Sequence, residues 1–256
     1  MVESDILISI IYNGRLGNNL FQYCYGRIIA NKLGIKLKAD KINGFEHTGD
    51  NISGVEIYPP IIFSGFFCDY SYYKKYKNDI KKWLFINKKI EENINKDDLV
   101  VYIRRSDYVS SNFSMPMSFY DNCVKDIPHN KLYVCTCDPN DPDIKDFVKK
   151  HNAILRHKSV IDDFKFLMNF NKIVLSQSTY CWWAAWLSDA TEIYCPLSEN
   201  FGAWANKEIY SLIVDDEPRY KYITVTNPYK YSFKFFIYIY LNAIIRRIKG
   251  WDYENI

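Results

Sequence analysis

The chain has 256 residues, of which 48% are hydrophobic and 25% charged. This composition excludes a disordered or fibrous protein and indicates one compact chain or two small lobes. The net charge of +3 is too small to favour a nucleic-acid partner. The 7 cysteines lack the spacing of a disulfide framework and no signal peptide opens the sequence, so we expect a reducing compartment.

The first forty residues alternate between strand and helix patterns. The β-branched run at 6–12 predicts a buried strand, and turn residues at 13–18 interrupt it. An apolar stripe at 18–33 then predicts a helix that ends at Gly34. A second strand at 35–39 completes a βαβ unit, in which the strands run parallel.

The alternation resumes further along the chain. A short strand at 61–67 and a helix at 70–85 precede a polar stretch at 87–98, which we interpret as a boundary between two lobes. Strands are then predicted at 99–103, 131–137, 154–155, 172–175 and 191–195, and helices at 117–126, 141–151, 161–170 and 180–188. This pattern predicts an α/β fold, whose ligands bind beyond the carboxyl ends of the parallel strands.

A loop at 14–18 separates the first strand from its helix. Its two glycines let backbone N–H groups and the helix N-terminus approach an anion, although a tight turn without a ligand explains them equally well. A dinucleotide fingerprint needs three glycines in register. A nicotinamide enzyme with Asp40 on a ribose is therefore the weaker interpretation.

Two arginines, Arg104 and Arg105, directly follow the strand at 99–103. Their planar guanidinium groups match phosphate oxygens, so we expect one of them to face a phosphate. The alternative is a structural ion pair between Arg105 and Asp107, with Arg104 exposed to solvent.

Polar residues also begin two of the later helices. Ser176, Ser178 and Thr179 either cap the helix that follows them or hold a phosphate together with its N-terminus. Asp163 either caps its own helix or accepts two N–H donors from the edge of a guanine.

Three segments together resemble the motifs of the α-1,2-fucosyltransferase family. They are Gly-Arg-Leu-Gly-Asn-Asn-Leu-Phe-Gln-Tyr at 14–23, Arg-Arg-Ser-Asp-Tyr-Val at 104–109 and Ser-Gln-Ser-Thr-Tyr-Cys-Trp-Trp-Ala-Ala-Trp-Leu at 176–187. Their order and spacing agree, and the segment at 64–73 is similar too, so the likeness covers residues 6–200. The resemblance implies a GT-B-like fold, with two Rossmann-like lobes and the donor in the cleft between them.

The same resemblance implies an activity. An enzyme of this family transfers L-fucose from GDP-β-L-fucose to an acceptor hydroxyl, with inversion at the sugar carbon and without a metal or other cofactor. The acceptor implied is O-2 of a galactoside, in a surface glycan or its precursor. The expected partners are therefore a nucleotide-sugar donor and a glycan acceptor.

Roles for single residues also follow from the resemblance. It places Arg104 on the β-phosphate with Arg105 supporting it, and it assigns guanine recognition to Asp163. Asp138 matches the last acid of a Ser-Asp-Asp motif. The complete predicted donor-binding set is Arg15, Gly17, Arg104, Arg105, Asp138, Asp163, Ser176, Ser178 and Thr179. The predicted catalytic residues are Arg104, Asp107 and Asn18, with Asp107 preferred as the base over Asp69 and Glu199.

Three other interpretations stay open from the sequence. Tyr102 and Ser106 stand where the family usually has His and Gly, so a related GDP-6-deoxyhexose is an alternative donor. The Asp-x-Asp at 141–143 would suit the metal of a GT-A transferase, unless it caps a helix. The third alternative is an inactive, glycan-binding relative.

We predict three regions along the chain. They are an acceptor-side lobe at 1–95, a GDP-sugar-binding lobe at 96–225 and a helical, aromatic and basic tail at 226–256. The apolar run of the tail is too short to span a membrane, but it suits an interfacial helix. The alternative is that the tail packs against the first lobe. Because we recognise no Golgi anchor, we expect a cytoplasmic enzyme of bacterial or viral origin, in peripheral contact with the inner membrane face.

Overall fold

The computed structural model describes residues 6–46, 49–50, 60–105, 107–110, 113–197, 211–225, 237–238 and 240–241. Most of the predicted C-terminal helix lies outside these residues, as do Ser106 and Glu199. The described strands form two separate sheets in which every pairing is parallel. The predicted α/β class is therefore confirmed.

Three strands form the first sheet in the order β2-β1-β3, namely β1 (Leu7–Ile10), β2 (Lys36–Lys38) and β3 (Ile61–Phe63). Helix α1 (Leu16–Leu33) connects β1 to β2, which confirms the predicted βαβ unit. It ends at Gly34, whose φ of 66° lies in the left-handed region that favours glycine. The helix begins before the predicted Asn18, because extended Arg15 already occupies the N-cap position.

The segment at 70–85 is irregular where the sequence predicts one helix. It forms two short 3₁₀ turns, Tyr70–Tyr72 and Lys74–Tyr76, followed by α2 (Lys77–Trp83). Buried Tyr73 separates the two turns, and its hydroxyl donates to the carbonyl oxygens of Phe67 and Phe21, at 2.6 and 3.2 Å. The bond to Phe21 ties the segment to α1.

Six strands form the second sheet in the order β6-β5-β4-β7-β8-β9. They are β4 (Leu99–Ile103), β5 (Leu132–Thr136), β6 (Ile154–Arg156), β7 (Lys172–Val174), β8 (Glu192–Leu197) and β9 (Tyr220–Thr224). The helices of this part are α3 (Asp107–Ser110), α4 (Met117–Asp126), α5 (Pro142–Lys150), α6 (Val160–Leu167) and α7 (Thr179–Leu187). No helix is predicted at α3, because its four residues are too few to show a helical period.

The strand order of the second sheet identifies where a ligand binds. The chain builds outward from β4 through β5 to β6, then returns to the other side of β4 and continues through β7, β8 and β9. This is the strand order of doubly wound nucleotide-binding folds, whose crevice opens where the direction reverses. Here the reversal lies between β4 and β7, so their carboxyl ends flank the expected site.

Helix α7 is buried and packs against α1. Trp182, Trp183 and Trp186 have 0% exposure, as the apolar sequence predicts. Phe21 of α1 contacts this cluster, with its ring centroid 4.7 Å from Trp183 and 5.1 Å from Trp182. Aromatic rings in this arrangement bury large areas with specific geometry. The α1–α7 contact therefore fixes the first helix of one sheet against the second sheet.

Candidate active site

A cavity of about 560 Å³ opens at the carboxyl ends of β4 and β7, where the strand order reverses. Its wall takes residues from five segments, 14–18, 102–108, 136–137, 157–163 and 178–180. Each segment lies at or after the end of a parallel strand, β1, β4, β5, β6 or β7 in that order. A volume of this size falls within the range of small-molecule and cofactor sites.

The N-termini of α1 and α7 meet at this cavity. Asn18 Oδ1 accepts a hydrogen bond of 3.0 Å from Thr179 Oγ1, and both residues line the wall with Ser178. Ser178 is the N-cap of α7, and its hydroxyl makes no capping bond. Because helix N-termini carry partial positive charge and unpaired N–H groups, this corner suits an anion.

Gly17 permits the close approach of the two helices. A Cβ atom on Gly17 would lie 2.5 Å from Thr179 Oγ1 and from the backbone nitrogen of Tyr180, closer than real contacts allow. We therefore expect Gly17→Ala to push the two N-termini apart. A misplacement of about 1 Å can lower kcat/KM about 100-fold, which kinetics on the purified variant would measure.

Gly34→Ala is the matched control for this substitution. A Cβ at Gly34 meets nothing within 4 Å, and only the positive φ of 66° opposes it. This variant should lose about 1–2 kcal/mol of stability and keep its kcat/KM. Equal kinetic losses in both variants would contradict the role given to Gly17.

Arg104 lies on the cavity wall beside a carboxylate. Its guanidinium forms an ion pair with Asp107 on α3 and lies 4.9 Å from the ring centre of Tyr108. Arg15 Nη2 lies 3.8 Å from the other oxygen of Asp107. Burial works against the charge of Arg104, but the neighbouring Cys137, Tyr102 and Asp107 raise its pKa above the ordinary arginine value. The wall therefore holds two cations that share one carboxylate.

Arg105 points away from the cavity. Its side chain is fully buried, where Nε donates to Asp141 and Nη2 to Asp143, both at 2.7 Å. The predicted alternative that pairs Arg105 with Asp107 is wrong, because Arg104 takes that carboxylate. Consecutive residues of extended backbone face opposite sides, which separates the two arginines.

The Asp-x-Asp at 141–143 is a helix cap. Asp141 Oδ1 accepts from the backbone nitrogens of Asp143 and Ile144, at 2.8 and 3.2 Å, and thereby caps α5. The other oxygen of Asp141 and a carboxylate oxygen of Asp143 bind Arg105. Within the described part of the chain, no three or more His, Cys, Asp or Glu side chains come together where they could hold a metal ion.

Asp163 also lies on the cavity wall, with 6% exposure. Its Oδ1 accepts from Arg156 Nε at 3.0 Å, and the backbone N–H of Lys158 reaches Oδ1 and Oδ2 at 3.1 and 3.0 Å. Ser159, not Asp163, is the N-cap of α6 and accepts from the nitrogen of Asp162. The predicted capping role of Asp163 is therefore wrong.

The structure brings together most of the predicted site residues. Those on the cavity wall are Arg15, Gly17, Asn18, Arg104, Asp107, Asp163, Ser178 and Thr179. Three predicted donor-binding residues lie off this wall, namely Arg105, Asp138 and fully buried Ser176. Asp138 accepts a hydrogen bond of 2.7 Å from the Tyr238 hydroxyl. Asp69, a candidate base, binds the backbone nitrogen of Ser71 and is also off the wall.

Several wall residues were not predicted, among them Cys137, His157 and Lys158. His157 and Lys158 follow β6, and the Nδ1 of His157 lies 2.9 Å from the carbonyl oxygen of Thr136 at the end of β5. Both strands belong to the same parallel sheet. Ligands of such sheets bind at the carboxyl ends of the strands, so the residues that follow β5 and β6 could have been predicted from their positions.

Cys137 gives a chemical test of the cavity. It is partly exposed on the wall, whereas the other six cysteines are buried. Burial raises the pKa of Cys68 and Cys181 to about 12, which suppresses their reactive thiolates. We expect one fast-reacting thiol in native protein, measured with a chromogenic disulfide reagent.

The Cys137→Ser variant is the control for this labelling. It should remove the fast phase and leave only slow reaction of the buried thiols. A fast phase that persists in this variant would show that another thiol is accessible and would contradict the assignment of Cys137 as the exposed one.

A doubly wound parallel sheet, with an arginine and two helix N-termini at its reversal point, is the arrangement of nucleotide-binding α/β proteins. The chain matches the family model "Glycosyl transferase family 11" over residues 61–201, more than half of its length. It therefore belongs to that family, the α-1,2-fucosyltransferase family, and is a glycosyltransferase. A comparison with curated proteins gave no match. The matched region contains the second and third motifs, and the fold brings the first motif to the same cavity.

Proposed function

We propose that the chain transfers L-fucose from GDP-β-L-fucose to a glycan hydroxyl, O-2 of a galactoside, with inversion and without a metal. One observation carries this proposal: a single cavity combines Arg104 and two helix N-termini, which suit a diphosphate, with buried Asp163, which suits guanine. In the same proposal the two sheets serve as the lobes of a GT-B-like fold, and the cavity is the donor cleft.

The first chemical task is to stabilise the departing GDP. As the bond between fucose and the β-phosphate breaks, negative charge grows on the phosphate oxygens. Arg104, the Ser178 hydroxyl and the N–H groups at the start of α7 would be in place before that charge develops. The Thr179 hydroxyl donates to Asn18 and would turn to the phosphate when the donor binds. Preorganised donors of this kind typically contribute about 3–4 kcal/mol each to the transition state.

The second task is to withdraw a proton from the acceptor hydroxyl, and Asp107 is our choice for the base. Its side chain is 45% exposed on the cavity wall, and Arg104 and Arg15 orient its carboxylate. A donor phosphate would compete with Asp107 for Arg104. Donor binding would then leave Asp107 available to the acceptor, which favours an ordered reaction with the donor bound first.

The transferase reaction itself tests the proposal. The enzyme would be incubated with a β-galactoside and GDP-fucose, another GDP-6-deoxyhexose or UDP-galactose, with and without EDTA. We expect an α-linked fucoside, identified by its NMR coupling constant, at a rate that EDTA leaves unchanged. Because Tyr102 lines the cavity, preference for the other GDP-6-deoxyhexose would correct the donor sugar alone. EDTA-sensitive turnover of UDP-galactose, or binding without transfer or hydrolysis, would overturn the proposal.

We also propose peripheral membrane contact through the tail of a cytoplasmic enzyme. Within the described residues no helix is both long and apolar enough to cross a bilayer. Ile237, Tyr240 and Leu241 are 45%, 68% and 51% exposed, while Tyr238 contacts Asp138 beyond β5. Exposed apolar side chains beside a basic segment suit an anionic surface. Co-sedimentation with anionic but not neutral vesicles would support the proposal, and no sedimentation with either would contradict it.

A further inference from the structure

Arg156 is a buried arginine that does not itself line the cavity. It ends β6 with 8% exposure, and its Nε donates to Asp163 Oδ1 at 3.0 Å. Its guanidinium also lies 4.4 Å from the ring centre of Phe166 on the same helix as Asp163. The Asp163 carboxylate, which lines the cavity, is therefore hydrogen-bonded to a buried cation that does not line it.

Arg156 is in turn held by Glu92, in the polar stretch between the two sheets. Its Nη1 donates to Glu92 Oε1, and Lys158 Nζ reaches the same oxygen at 3.0 Å. Glu92 thus binds residues on both sides of His157, which lines the cavity. The guanidinium of Arg156 has little freedom to rotate, because Nε is hydrogen-bonded to Asp163 and Nη1 to Glu92.

We propose that Arg156, itself fixed by Glu92, is a positioning residue that orients Asp163 for two N–H groups of guanine and so sets the choice of purine. This inference rests on the proposed function, since it takes GDP as the nucleotide. Arg156 donates to Oδ1, and the single Lys158 N–H proton is shared between Oδ1 and Oδ2. Two protons thus occupy two of the carboxylate's four acceptor positions, and two positions stay available on a residue that lines the cavity.

The donor pattern of the purines makes the proposal specific. Guanine presents N1–H and a 2-amino group side by side, and an oriented carboxylate accepts from both. Hypoxanthine keeps N1–H but lacks the amino group, and adenine offers a bare N1 that repels a carboxylate. Affinity should therefore fall in the order GDP, IDP, ADP, because a site built to pair with polar groups strongly rejects ligands that lack them.

The test compares nucleotide affinities by calorimetry in the full chain. For Arg156→Met we expect GDP affinity to fall about 10- to 100-fold, with ADP and inorganic pyrophosphate affinities nearly unchanged. The ratio of GDP to ADP affinity should collapse accordingly. In turnover, KM for the donor should rise while kcat at saturation stays close to wild type. Arg156→Lys should recover part of the ratio.

Arg27→Met is the matched control. Arg27 is also 8% exposed and binds a carboxylate, with its Nη1 2.8 and 2.9 Å from the two oxygens of Asp50, but Asp50, unlike Asp163, lies off the cavity wall. This variant should lose stability and keep the nucleotide ratio. If Arg156→Met does not fold, Arg156→Lys and Glu92→Gln test the same point, with a decrease of a few-fold expected in each.

Three outcomes would overturn the inference. One is a wild-type GDP-to-ADP ratio in the folded Arg156 and Glu92 variants. Another is an equal loss of affinity for GDP, ADP and pyrophosphate, which would indicate a merely structural role. If the wild-type enzyme itself shows no preference for GDP, the proposed function fails first, and that failure is visible before any variant is made.

Discussion

Replacing Arg104 with alanine should lower kcat by about 100- to 1,000-fold while leaving the fold intact. The activity should fall because Arg104 is the buried cation on the cavity wall, beside the start of α7. The fold should survive because Asp107, the partner of Arg104, is 45% exposed, so that water can solvate its carboxylate in the variant. Transfer assays at saturating donor would measure the first effect and thermal unfolding the second.

Arg104→Lys separates charge from geometry in this prediction. Lysine keeps the positive charge but lacks the planar fork that matches phosphate oxygens, so it should restore only part of the lost rate. Near-normal turnover by Arg104→Ala would remove this residue from the mechanism. A large fall in its Tm would instead show that the loss of activity reflects unfolding.

The neighbouring substitution Arg105→Met should give the opposite result, a large loss of stability. It leaves the fully buried Asp141 and the nearly buried Asp143 without the cation that bridges them. Removing one partner of a buried ion pair typically costs about 3–5 kcal/mol. For a chain of this length the Tm should fall by about 6–20 °C, measured by calorimetry or circular dichroism.

The loss of stability in Arg105→Met should depend on pH. Burial already raises the pKa of Asp141 above its ordinary value, and Arg105 opposes that rise. Without Arg105 the pKa should rise further, so the folded state binds a proton more tightly than the unfolded state does. The stability of the variant then falls as pH increases from the unfolded pKa of Asp141 to its raised folded pKa. Its deficit relative to wild type should therefore be larger at pH 8 than at pH 5. A deficit that grows toward acid would contradict the assignment.

The chain shows which parts of a fold a sequence can specify. The βαβ unit and the second sheet were predicted because β-branched runs and apolar helical stripes alternate clearly. The prediction of one helix at 70–85 was wrong because Tyr73 forms tertiary hydrogen bonds to Phe67 and Phe21, which sequence periodicity does not reveal. Helix α3 was missed because its four residues cover only one turn.

The candidate site was predicted less completely than the fold. Three motifs identified Arg104, Asn18 and Thr179, since each follows a strand at the edge where open sheets bind ligands. The sequence could not show that Arg105 turns inward to Asp141, although the alternation of extended backbone favours opposite directions for Arg104 and Arg105. The link from Arg156 to Asp163 depends on side-chain contacts that carry no motif.

The most direct test of the account is a calorimetric titration of the purified protein with GDP and UDP, with and without EDTA. We predict that GDP binds, that UDP binds at least about 100-fold more weakly, and that EDTA changes neither result. The reason is that Arg104 and the helix N-termini supply the phosphate contacts while Asp163 selects guanine. Binding of UDP as tight as that of GDP, or nucleotide binding that EDTA removes, would contradict the assignment of this cavity as a metal-independent GDP-sugar site.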